Sequence, residues 1–297
     1  MFRRAAAVLL ALFISIGSAA RTTGADSLGV VFWNVENFFD WRASGPESPD
    51  AEYSSSGVRR WTARRFYAKC SGIAKVLMMI ADRTGSPPDA VGFAEVENSF
   101  VVKQLLSSTV LGKLDYVPVH FDSPDHRGID CALIYRRSSL VLEDAVPVHV
   151  YDSSGAVMAT RDILLVRFDS LAVLVNHHPS KVGGREDRRT RAMERMRAVC
   201  DSLSASGCGR VICIGDFNDD LWHLGGRGTI KYQGSWEKID GCFSSGFSRV
   251  DETVFDDPVL LEADRGWGGM KPRRTYVGKR YNKGISDHLP VLFSVYF

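Results

Sequence analysis

The sequence predicts an α/β fold in which two β-sheets pack face to face and helices cover their outer surfaces. Strand-like apolar runs alternate with helical patterns early in the chain and again after residue 186, whereas strand follows strand between residues 116 and 176. In addition, 45% of the 297 residues are hydrophobic and 10% are aromatic, enough to bury a large core. No linker-like segment divides the chain, so we expect one folded domain over residues 26–297.

The first half of the chain is predicted to contain a long helix and most of the strands. Apolar residues recur at helical spacing from Val58 to Ile80, and the breaker segment 85–88 ends this helix. Residues 40–57, rich in Ser, Pro and Gly, are predicted to form a loop. Apolar runs predict strands at residues 28–33, 89–94, 116–120, 130–135, 145–148, 163–168 and 171–176, with a short helix at 100–106.

The second half is predicted to return to helix followed by strand. A second long helix covers residues 186–203 and ends before Gly207. The β-branched run Val211–Ile214 then predicts a strand that is buried on both faces. Closing strands are predicted at 236–244 and 289–296, with Gly-rich loops before and between them.

The first residues have the pattern of a secretory signal peptide, assigned here to residues 1–25. Arg3 and Arg4 precede an apolar run over residues 5–14, and the small residues at 17–20 resemble a cleavage region. The apolar run is shorter than the ~20 residues that a membrane-spanning helix needs. We therefore expect a secreted or periplasmic protein without a stable membrane span after cleavage.

The charge of the remaining chain is balanced. Of the 37 Lys and Arg residues, Arg3 and Arg4 lie in the signal segment, and the other 35 equal the 35 Asp and Glu residues in number. A strong nucleic-acid footprint usually appears as a basic excess, so the overall charge does not favour one.

The six cysteines do not form a thiolate metal motif, because the sequence contains no Cys-x-x-Cys pair. Cys131, Cys213 and Cys242 lie in strand-like runs and are expected to be free buried thiols. A bridge between Cys200 and Cys208, across a helix-to-strand connection, is expected only if the compartment is oxidising.

Polar residues that can take part in catalysis or ligand binding follow the buried strand at 211–214. Asp216 and Asn218 leave the end of this strand two residues apart, so in an extended segment both would point to the same side. Open α/β sheets bind ligands at the carboxyl ends of their strands. A carboxylate can orient an attacking water or hold a metal, and an amide can donate to a phosphate oxygen. Alone, the pair also fits a turn or a helix cap.

Four other strand ends repeat this arrangement. Explaining the polar residues by turns alone would require five separate turns, so a common function is the better explanation. Each of the four strand ends has an apolar run that ends in Asn, Asp, Glu or His, or begins directly after such residues. These segments are Val30–Asn37, Val91–Glu97, Val175–Lys181 and Gly284–Val291.

Together and in this order, the five motifs resemble the endonuclease/exonuclease/phosphatase superfamily with its deoxyribonuclease-I-like fold. The resemblance extends over essentially the whole mature chain and implies a four-layer α/β sandwich that hydrolyses phosphoesters with Mg²⁺ or Mn²⁺. Residues 232–236 and 274–276 also resemble a subgroup of secreted bacterial members, whose substrates are generally unassigned.

The resemblance implies roles for individual residues. Glu95 matches the principal metal ligand, and the further ligands are expected to be Asn34, Glu36 and Asp287, with orientation of a histidine as the alternative role of Asp287. Asp216 matches the residue that activates water, and Asp240 matches an acid that supports the terminal histidine. The catalytic set is expected to be His178, Asp216, Asn218, His288, Asn176 and Asp240. His177, by alternation along its strand, is expected to point away from the site.

Substrate contacts are expected from loops, which carry specificity over a rigid sheet. The candidates are Arg127, Tyr232, Trp236, Arg274 and Tyr276, although Arg127 could simply pair with a neighbouring Asp. Several basic residues lie on the predicted helices and are interpreted as solvated helix faces: Arg59, Arg60, Arg64, Arg65, Arg185, Arg188, Arg189 and Arg191.

The sequence therefore predicts a monomeric metal-dependent phosphodiesterase that resembles an endonuclease and acts by in-line attack of an activated water. Phospholipid or sugar-phosphate esters are the alternative substrates. A catalytically silent surface-binding module with the same fold is the alternative of another class, and it would be expected to lack one of the site residues.

Overall fold

The computed structural model describes residues 27–42, 48, 50–169, 171–181 and 186–297. The expected signal peptide lies outside these residues, as does Arg185. Among the described residues, the helices are α1 (Ala63–Thr84), α2 (Ser99–Ser107) and α3 (Glu186–Ala205), with short 3-10 helices at Ala51–Tyr53, Val110–Lys113, Trp222–Leu224 and Pro258–Leu260. None of the helices in the described part of the chain has the length and hydrophobicity that crossing a membrane would require.

The strands are given in chain order. They are β1 (Ser27–Phe38), β2 (Ala90–Val96), β3 (Tyr116–His120), β4 (Asp130–Arg136), β5 (Leu142–Val148), β6 (Ile163–Phe168), β7 (Ala172–His177), β8 (Val211–Asp216), β9 (Ile230–Tyr232), β10 (Ser235–Glu237), β11 (Asp240–Ser245), β12 (Arg249–Val254), β13 (Leu261–Ala263), β14 (Met270–Pro272), β15 (Tyr276–Val277), β16 (Arg280–Tyr281) and β17 (Val291–Tyr296).

Two large sheets organise these strands. The first has the order β12-β17-β1-β2-β4-β3, and the second has the order β11-β8-β7-β6-β5. Each sheet has one parallel pair at its centre, β1 with β2 and β7 with β8, while its other neighbouring strands are antiparallel. Short two-stranded ribbons, β9-β10, β13-β14 and β15-β16, lie in the loops between the later strands.

Three apolar layers separate four structural layers, which confirms the predicted sandwich. Phe32 of β1 and Val175 of β7 belong to the layer that joins the two sheets. A second apolar layer packs α1 and α2 onto the first sheet, and a third packs α3 onto the second sheet. Strands at the centre of each sheet are therefore buried on both faces, as their continuous apolar runs predict.

Helix α1 shows how local sequence determines an element that later borders the site. Its apolar side chains Phe66, Ile73 and Leu77 lie on one face and pack against the first sheet, each contributing about 1.5–3 kcal/mol by burial. Gly85 ends the helix in the left-handed region with φ of 84°, a conformation that glycine adopts without steric cost. The helix begins at Ala63 rather than at the predicted Val58, because residues 54–61 form turns.

The cysteines differ in part from the prediction. The expected Cys200–Cys208 bridge is wrong, since all six cysteines are free and Cys200 Sγ instead lies 3.3 Å from Cys213 Sγ. Cys131 and Cys213 are buried as expected, whereas Cys242 is only partly buried. Cys200 on α3 faces β8 because both belong to the apolar layer beneath the second sheet.

Candidate active site

The two parallel strand pairs bring four polar side chains to one end of the sandwich. Asn34 and Glu95 lie at the carboxyl ends of β1 and β2, and His177 and Asp216 lie at the carboxyl ends of β7 and β8. The pairs belong to facing sheets, so the side chains meet across the layer that joins the sheets. All four are buried, in a position where α/β sheets bind ligands.

Irregular backbone turns these side chains out of the regular strand pattern. The β1–β2 ladder shifts register between Asn34 and Phe38, and the β2–β4 ladder shifts beside Glu95. Glu36, Asn37 and Glu95 have positive φ of 46°, 49° and 64°. Such left-handed residues cost of order 1–3 kcal/mol each. With Asn218 they make up four of the eight non-glycine residues with positive φ among the described residues, so half of this backbone strain lies at the predicted site.

Asp216 is the centre of the hydrogen-bond network. The amide of Asn34 donates to Asp216 Oδ2 at 3.0 Å, and the backbone N–H of Asn218 donates to Oδ1 at 3.0 Å. Burial raises the pKa of Asp216 to about 7, with the neighbouring charge of Asp240 acting in the same direction. A carboxyl group that titrates near neutral pH is suited to accept a proton during catalysis.

His288 is held against Asp216 by a second carboxylate. Its Nδ1 lies 2.8 Å from Asp240 Oδ2, and its Nε2 lies 3.9 Å from Asp216 Oδ2. Thr229 donates its hydroxyl to the same Asp240 oxygen, and the indole of Trp33 donates to the His288 carbonyl at 2.9 Å. Burial alone would lower the pKa of His288, but the charge and hydrogen bond of Asp240 raise it well above its usual value. The charged form of the imidazole is therefore favoured.

His177 lies in this site, and His178 does not, so the expectation that His177 points away is wrong. His177 Nε2 is 3.8 Å from Asp216 Oδ2 and 4.0 Å from Glu95 Oε1. His178 instead packs edge-on against Phe217, with ring centroids 5.2 Å apart, and lines a cavity beside α3. The reason is strand alternation: His177 shares the face of Val175, which points toward the other sheet.

Both histidines are fully buried and uncharged. Burial is the main cause that lowers the pKa of each, and the charge of Arg161 acts in the same direction. The pKa of His178 falls to about 3, and that of His177 falls well below its usual value. His177 is therefore a neutral donor or acceptor, unlike the protonated His288.

The two asparagines of the predicted catalytic set have different surroundings. Asn176 is buried, on the face of β7 opposite His177, and its amide donates to the carbonyls of Leu174 and Ile214. In the structure its amide therefore supports the strand pair, and its catalytic role stays a prediction. Asn218 gives one amide hydrogen to the His178 carbonyl at 3.0 Å, so the second remains for a ligand.

Glu95 provides the best fit for a divalent metal. Its Oε2 accepts the backbone N–H of Asn37 at 2.7 Å, while its Oε1 accepts no hydrogen bond within the described residues and faces His177 and Arg127. Oxygen ligands of this kind, few in number, are what Mg²⁺ and Mn²⁺ prefer. Glu95, with Asn34 and Asp216 nearby, would hold such an ion.

Two other predicted metal ligands are engaged elsewhere. The carboxylate of Glu36 accepts the backbone N–H of Thr275 at 2.7 Å and the Arg274 Nε–H at 3.2 Å. Arg274 also bonds Asp287 Oδ2 at 2.5 Å. Burial raises the pKa of Glu36 to about 7, and the charge of Asp287 adds to this effect. In the structure, Glu36 and Asp287 both bind Arg274, and their role as metal ligands stays a prediction.

A second group of potential ligands, Asp216, Asp240 and His288, has its ligand atoms within 4.8 Å of one another. We favour the Glu95 side for a cation, because His288 is already hydrogen-bonded to Asp240 and carries a positive charge.

The predicted substrate contacts divide into exposed and buried residues. Tyr232 is 58% exposed on the β9-β10 ribbon, and Trp236 on the same ribbon is half-buried against the α1 layer. Tyr276, in contrast, is buried, and its hydroxyl donates to the Arg59 carbonyl at 3.0 Å, so it is a core residue and not a substrate contact. Arg127 donates to the side chain of Asn37 at 3.0 Å and lies 3.6 Å from Glu95.

Two basic residues beside the site are missing from the sequence-based set. Buried Arg161 donates to the backbone carbonyls of His177 and His178 and pairs with Asp125 at 3.2 Å, which fixes this segment. Buried Lys69 of α1 donates to the Glu36 carbonyl and to Thr275 Oγ1. Burial lowers the pKa of Lys69 to about 8. A sequence pattern does not reveal either residue, because each partner is distant along the chain.

The family model of the Endonuclease/Exonuclease/phosphatase family matches this chain over residues 29–225 and 221–296. The chain belongs to this family. The matched residues include all five strand-end motifs, and the family's name covers enzymes that hydrolyse phosphoester bonds. A search of curated protein sequences finds no match.

Solved structures of family-like folds are similar over most of the chain. TDP2 from C. elegans is 14% identical, with a TM-score of 0.57 over 91% of this chain and 75% of that one. D. rerio TDP2 complexed with single strand DNA product is 17% identical, with a TM-score of 0.50 over 92% and 100%. The mannosyl-6-phosphatase Bt3783 from Bacteroides thetaiotaomicron is 16% identical, with a TM-score of 0.56 over 91% and 100%. At these identities the likeness establishes the fold.

Proposed function

We propose that this chain is a Mg²⁺- or Mn²⁺-dependent phosphodiesterase that cleaves its substrate by in-line attack of water. Membership of the family supports the general class, hydrolysis of a phosphoester. One observation carries the finer proposal: His177 and His288 bring their Nε2 atoms to 3.8 and 3.9 Å from the same oxygen of Asp216. The carboxylate of Asp216, the proposed base, thus lies near one neutral imidazole, His177, and one protonated imidazole, His288.

Asp216 is the proposed base for the attacking water. Asn34 and the backbone of Asn218 fix its carboxylate, so that it need not reorganise when a water approaches. Its pKa of about 7 allows it to be ionised in a substantial fraction of molecules at neutral pH and to accept the water's proton.

The two imidazoles have different proposed tasks. His288, protonated through Asp240, donates a charged hydrogen bond to a phosphoryl oxygen, where negative charge develops during attack. Neutral His177 donates a hydrogen bond, but no proton, from Nε2 to another phosphoryl oxygen, and the leaving oxygen takes its proton from protonated His288 or from solvent. Water attacks opposite the leaving oxygen, so no covalent intermediate is needed.

Glu95 would hold the divalent ion that this chemistry uses. When bound, the ion supplies neutralisation of phosphate charge and polarisation of the bond to be cleaved. Arg127 is hydrogen-bonded to Asn37 and lies 3.6 Å from Glu95 Oε1. Its guanidinium orients this carboxylate oxygen and adds a positive charge to this side of the site.

Nucleic acid is our preferred substrate class, and a sugar-phosphate or phospholipid ester is the alternative. The exposed ring of Tyr232 offers a surface for base stacking, and a solved structure with the same fold is a complex with single strand DNA product. Another structure with this fold is a mannosyl-6-phosphatase, which supports the alternative. Fold alone does not choose between them.

Hydrolysis assays test both levels of the proposal. We expect bis(p-nitrophenyl) phosphate to be cleaved faster than p-nitrophenyl phosphate, and EDTA to abolish both rates until Mg²⁺ is restored. Cleavage of a labelled DNA duplex across a salt series should slow steeply as salt rises. Activity on mannose 6-phosphate alone would contradict the nucleic-acid proposal. No turnover of any of these esters would favour a silent binding module instead.

We further propose that the protein is exported, because residues 1–25 have the signal-peptide pattern. The protein should be found in the periplasm or medium with a new N-terminus near residues 20–26, as measured by intact mass. Full-length protein in the cytoplasm would contradict this proposal.

A further inference from the structure

A large cavity lies between α1 and the loop over residues 273–285, outside the catalytic centre. Its volume is about 810 Å³, within the range of small-molecule sites. Among the described residues, no Asp or Glu lines it, whereas seven basic residues do: buried Lys69 and six others, which are Arg60, Arg64, Arg65, Lys75, Arg273 and Lys283. The cavity is therefore strongly cationic in a chain whose overall charge is close to zero.

The basic residues of the cavity lack counter-charges. Within the described part of the chain, none of the six forms an ion pair, while nearby Arg59 pairs with Glu52 and Arg274 pairs with Asp287. The guanidinium of Arg65 donates only to carbonyls and a hydroxyl, and the Nε–H of Arg273 donates to the Asn282 carbonyl. Like charges gathered without partners repel one another, so an anion would be bound favourably here.

The beginning of α1 adds to this positive potential. Thr62, at the N-cap, makes no side-chain capping bond, and the first turn of the helix contains no acidic residue. Arg64 and Arg65 occupy that turn, although a helix N-terminus already carries partial positive charge and prefers anions. Thr62, Arg64 and Arg65 all line the cavity, so the partial positive charge of the helix N-terminus adds to that of the basic side chains.

The cavity shares a wall with the catalytic site. Lys69 lines the cavity, and its ammonium group donates to the backbone of Glu36 on the other side. Arg273 lines the cavity, while the next residue, Arg274, bonds Glu36 and Asp287 in the site. The cavity and the site therefore lie on opposite sides of the same two segments, at Lys69 and at residues 273–274.

We propose that the cavity binds an anion with several consecutive phosphate groups. One phosphate needs only a few donors, whereas six cations and a helix N-terminus can serve several, with Arg side chains providing bidentate contacts. Two sources have this chemistry: the phosphate backbone of a nucleic-acid strand that continues beyond the cleaved bond, and a free polyphosphate. The strand source rests on the proposed function; phosphate binding itself does not.

A paired charge-removal experiment tests this inference. The test variant is Arg64→Gln with Lys75→Gln, which removes two exposed cations of the cavity. The matched control is Lys103→Gln with Lys113→Gln, two exposed lysines outside the cavity. The probes are sodium tripolyphosphate, measured by calorimetry, and a short labelled oligothymidylate, measured by fluorescence anisotropy in EDTA so that it is not cleaved.

We expect the test variant to bind tripolyphosphate about tenfold more weakly than the wild type, and the control to bind within twofold. For the oligothymidylate, loss of two phosphate contacts should lower the slope of log affinity against log salt by about 1.4. If both probes weaken and tripolyphosphate displaces the oligonucleotide, the ligand is a strand. If only tripolyphosphate weakens, the ligand is a free polyphosphate. Equal binding by test and control variants would overturn the inference.

Turnover of bis(p-nitrophenyl) phosphate separates this result from the proposed function. This diester has a single phosphate and no further phosphate to occupy the cavity, so the test variant should cleave it at the wild-type rate. Absence of turnover in the wild type would refute the proposed function and leave the tripolyphosphate result unaffected.

Discussion

His177 Nε2 lies 3.8 Å from Asp216 Oδ2, across the parallel pair of strands β7 and β8. The two residues are direct register partners in this pair, so their side chains leave the sheet on the same face. This relationship identifies His177 as the histidine that faces the proposed base, and it separates His177 from its neighbour in sequence.

Replacing His177 with Gln should reduce kcat by about 10²–10³-fold, because the hydrogen-bond donor that His177 places beside Asp216 is lost. Replacing His178 with Gln should leave kcat within a few-fold, because His178 packs against Phe217 beneath α3. Steady-state kinetics on a small phosphodiester measures both, with thermal unfolding as the control for folding. Equal losses in the two variants would contradict this assignment.

Replacing Asp240 with Asn should shift the pH dependence of the reaction. The charge of Asp240 raises the pKa of His288 well above its usual value, so the protonated donor persists at alkaline pH in the wild type. Without that charge the pKa falls, and kcat/KM should begin to decline at a lower pH. Asp219→Asn, at an exposed position three residues from Asp216, is the control and should keep the wild-type profile.

Variants of Glu95 and Asp216 should differ in how far added metal restores their rates. Glu95→Gln weakens the proposed ion site, so excess Mg²⁺ should partly restore the rate. Asp216→Asn removes the proposed base, so turnover should stay at least about 10²-fold below wild type at saturating Mg²⁺ while substrate binding is nearly intact. Mg²⁺ titrations of kcat measure this difference. Comparable rescue of both variants would show that the division of roles is wrong.

Substitution of Tyr276 should mainly affect the stability of the fold, whereas substitution of Tyr232 should mainly affect substrate binding. Tyr276→Ala should lower the free energy of unfolding by about 3–5 kcal/mol, because it empties a buried aromatic position. Tyr232→Ala, on the exposed ribbon, should change stability by less than about 0.5 kcal/mol. If the ring stacks on a base, KM for an oligonucleotide should rise by the equivalent of about 1–3 kcal/mol. An unchanged KM would exclude this ring as a substrate contact.

His178 should make the fold sensitive to acid. Burial lowers its pKa to about 3 in the folded state, whereas the unfolded chain keeps the ordinary value near 6.5. Between these two pKa values the unfolded state binds a proton and the folded state does not. The contribution of neutral His178 to the free energy of unfolding is therefore fully present above about pH 6.5 and is lost as the pH falls. In urea unfolding, His178→Gln should reduce the slope of unfolding free energy against pH by about 1.4 kcal/mol per unit. An unaltered slope would refute the assignment of this acid sensitivity to His178.

The sequence predicts the sandwich and most of its strands because central strands buried on both faces leave continuous apolar runs. The same logic locates Asn34, Glu95 and Asp216, since each follows such a run. It cannot choose between His177 and His178, because the choice depends on which face of β7 meets the other sheet.

The sequence also cannot predict the partners that occupy a carboxylate. Glu36 has the residue type of a metal ligand, but Arg274 and Thr275, more than 230 residues later, hold its oxygens. Likewise, the basic residues of α1 look like a solvated helix face until the loop at 273–285 packs beside them and encloses a cavity. Contacts between segments so distant in the chain leave no local periodic signal.

The pairing of the first strand with the last one has a consequence for the order of assembly. Strand β1 lies between β2 and β17, and Ser27 is the register partner of Tyr296. Contacts of such large sequence separation form late, after the cost of closing the loop has been met. The first sheet can therefore close, and bring His288 to Asp216, only after the residues up to Tyr296 have been synthesised. Deleting β17 (Val291–Tyr296) should leave a fragment without the proposed hydrolase activity.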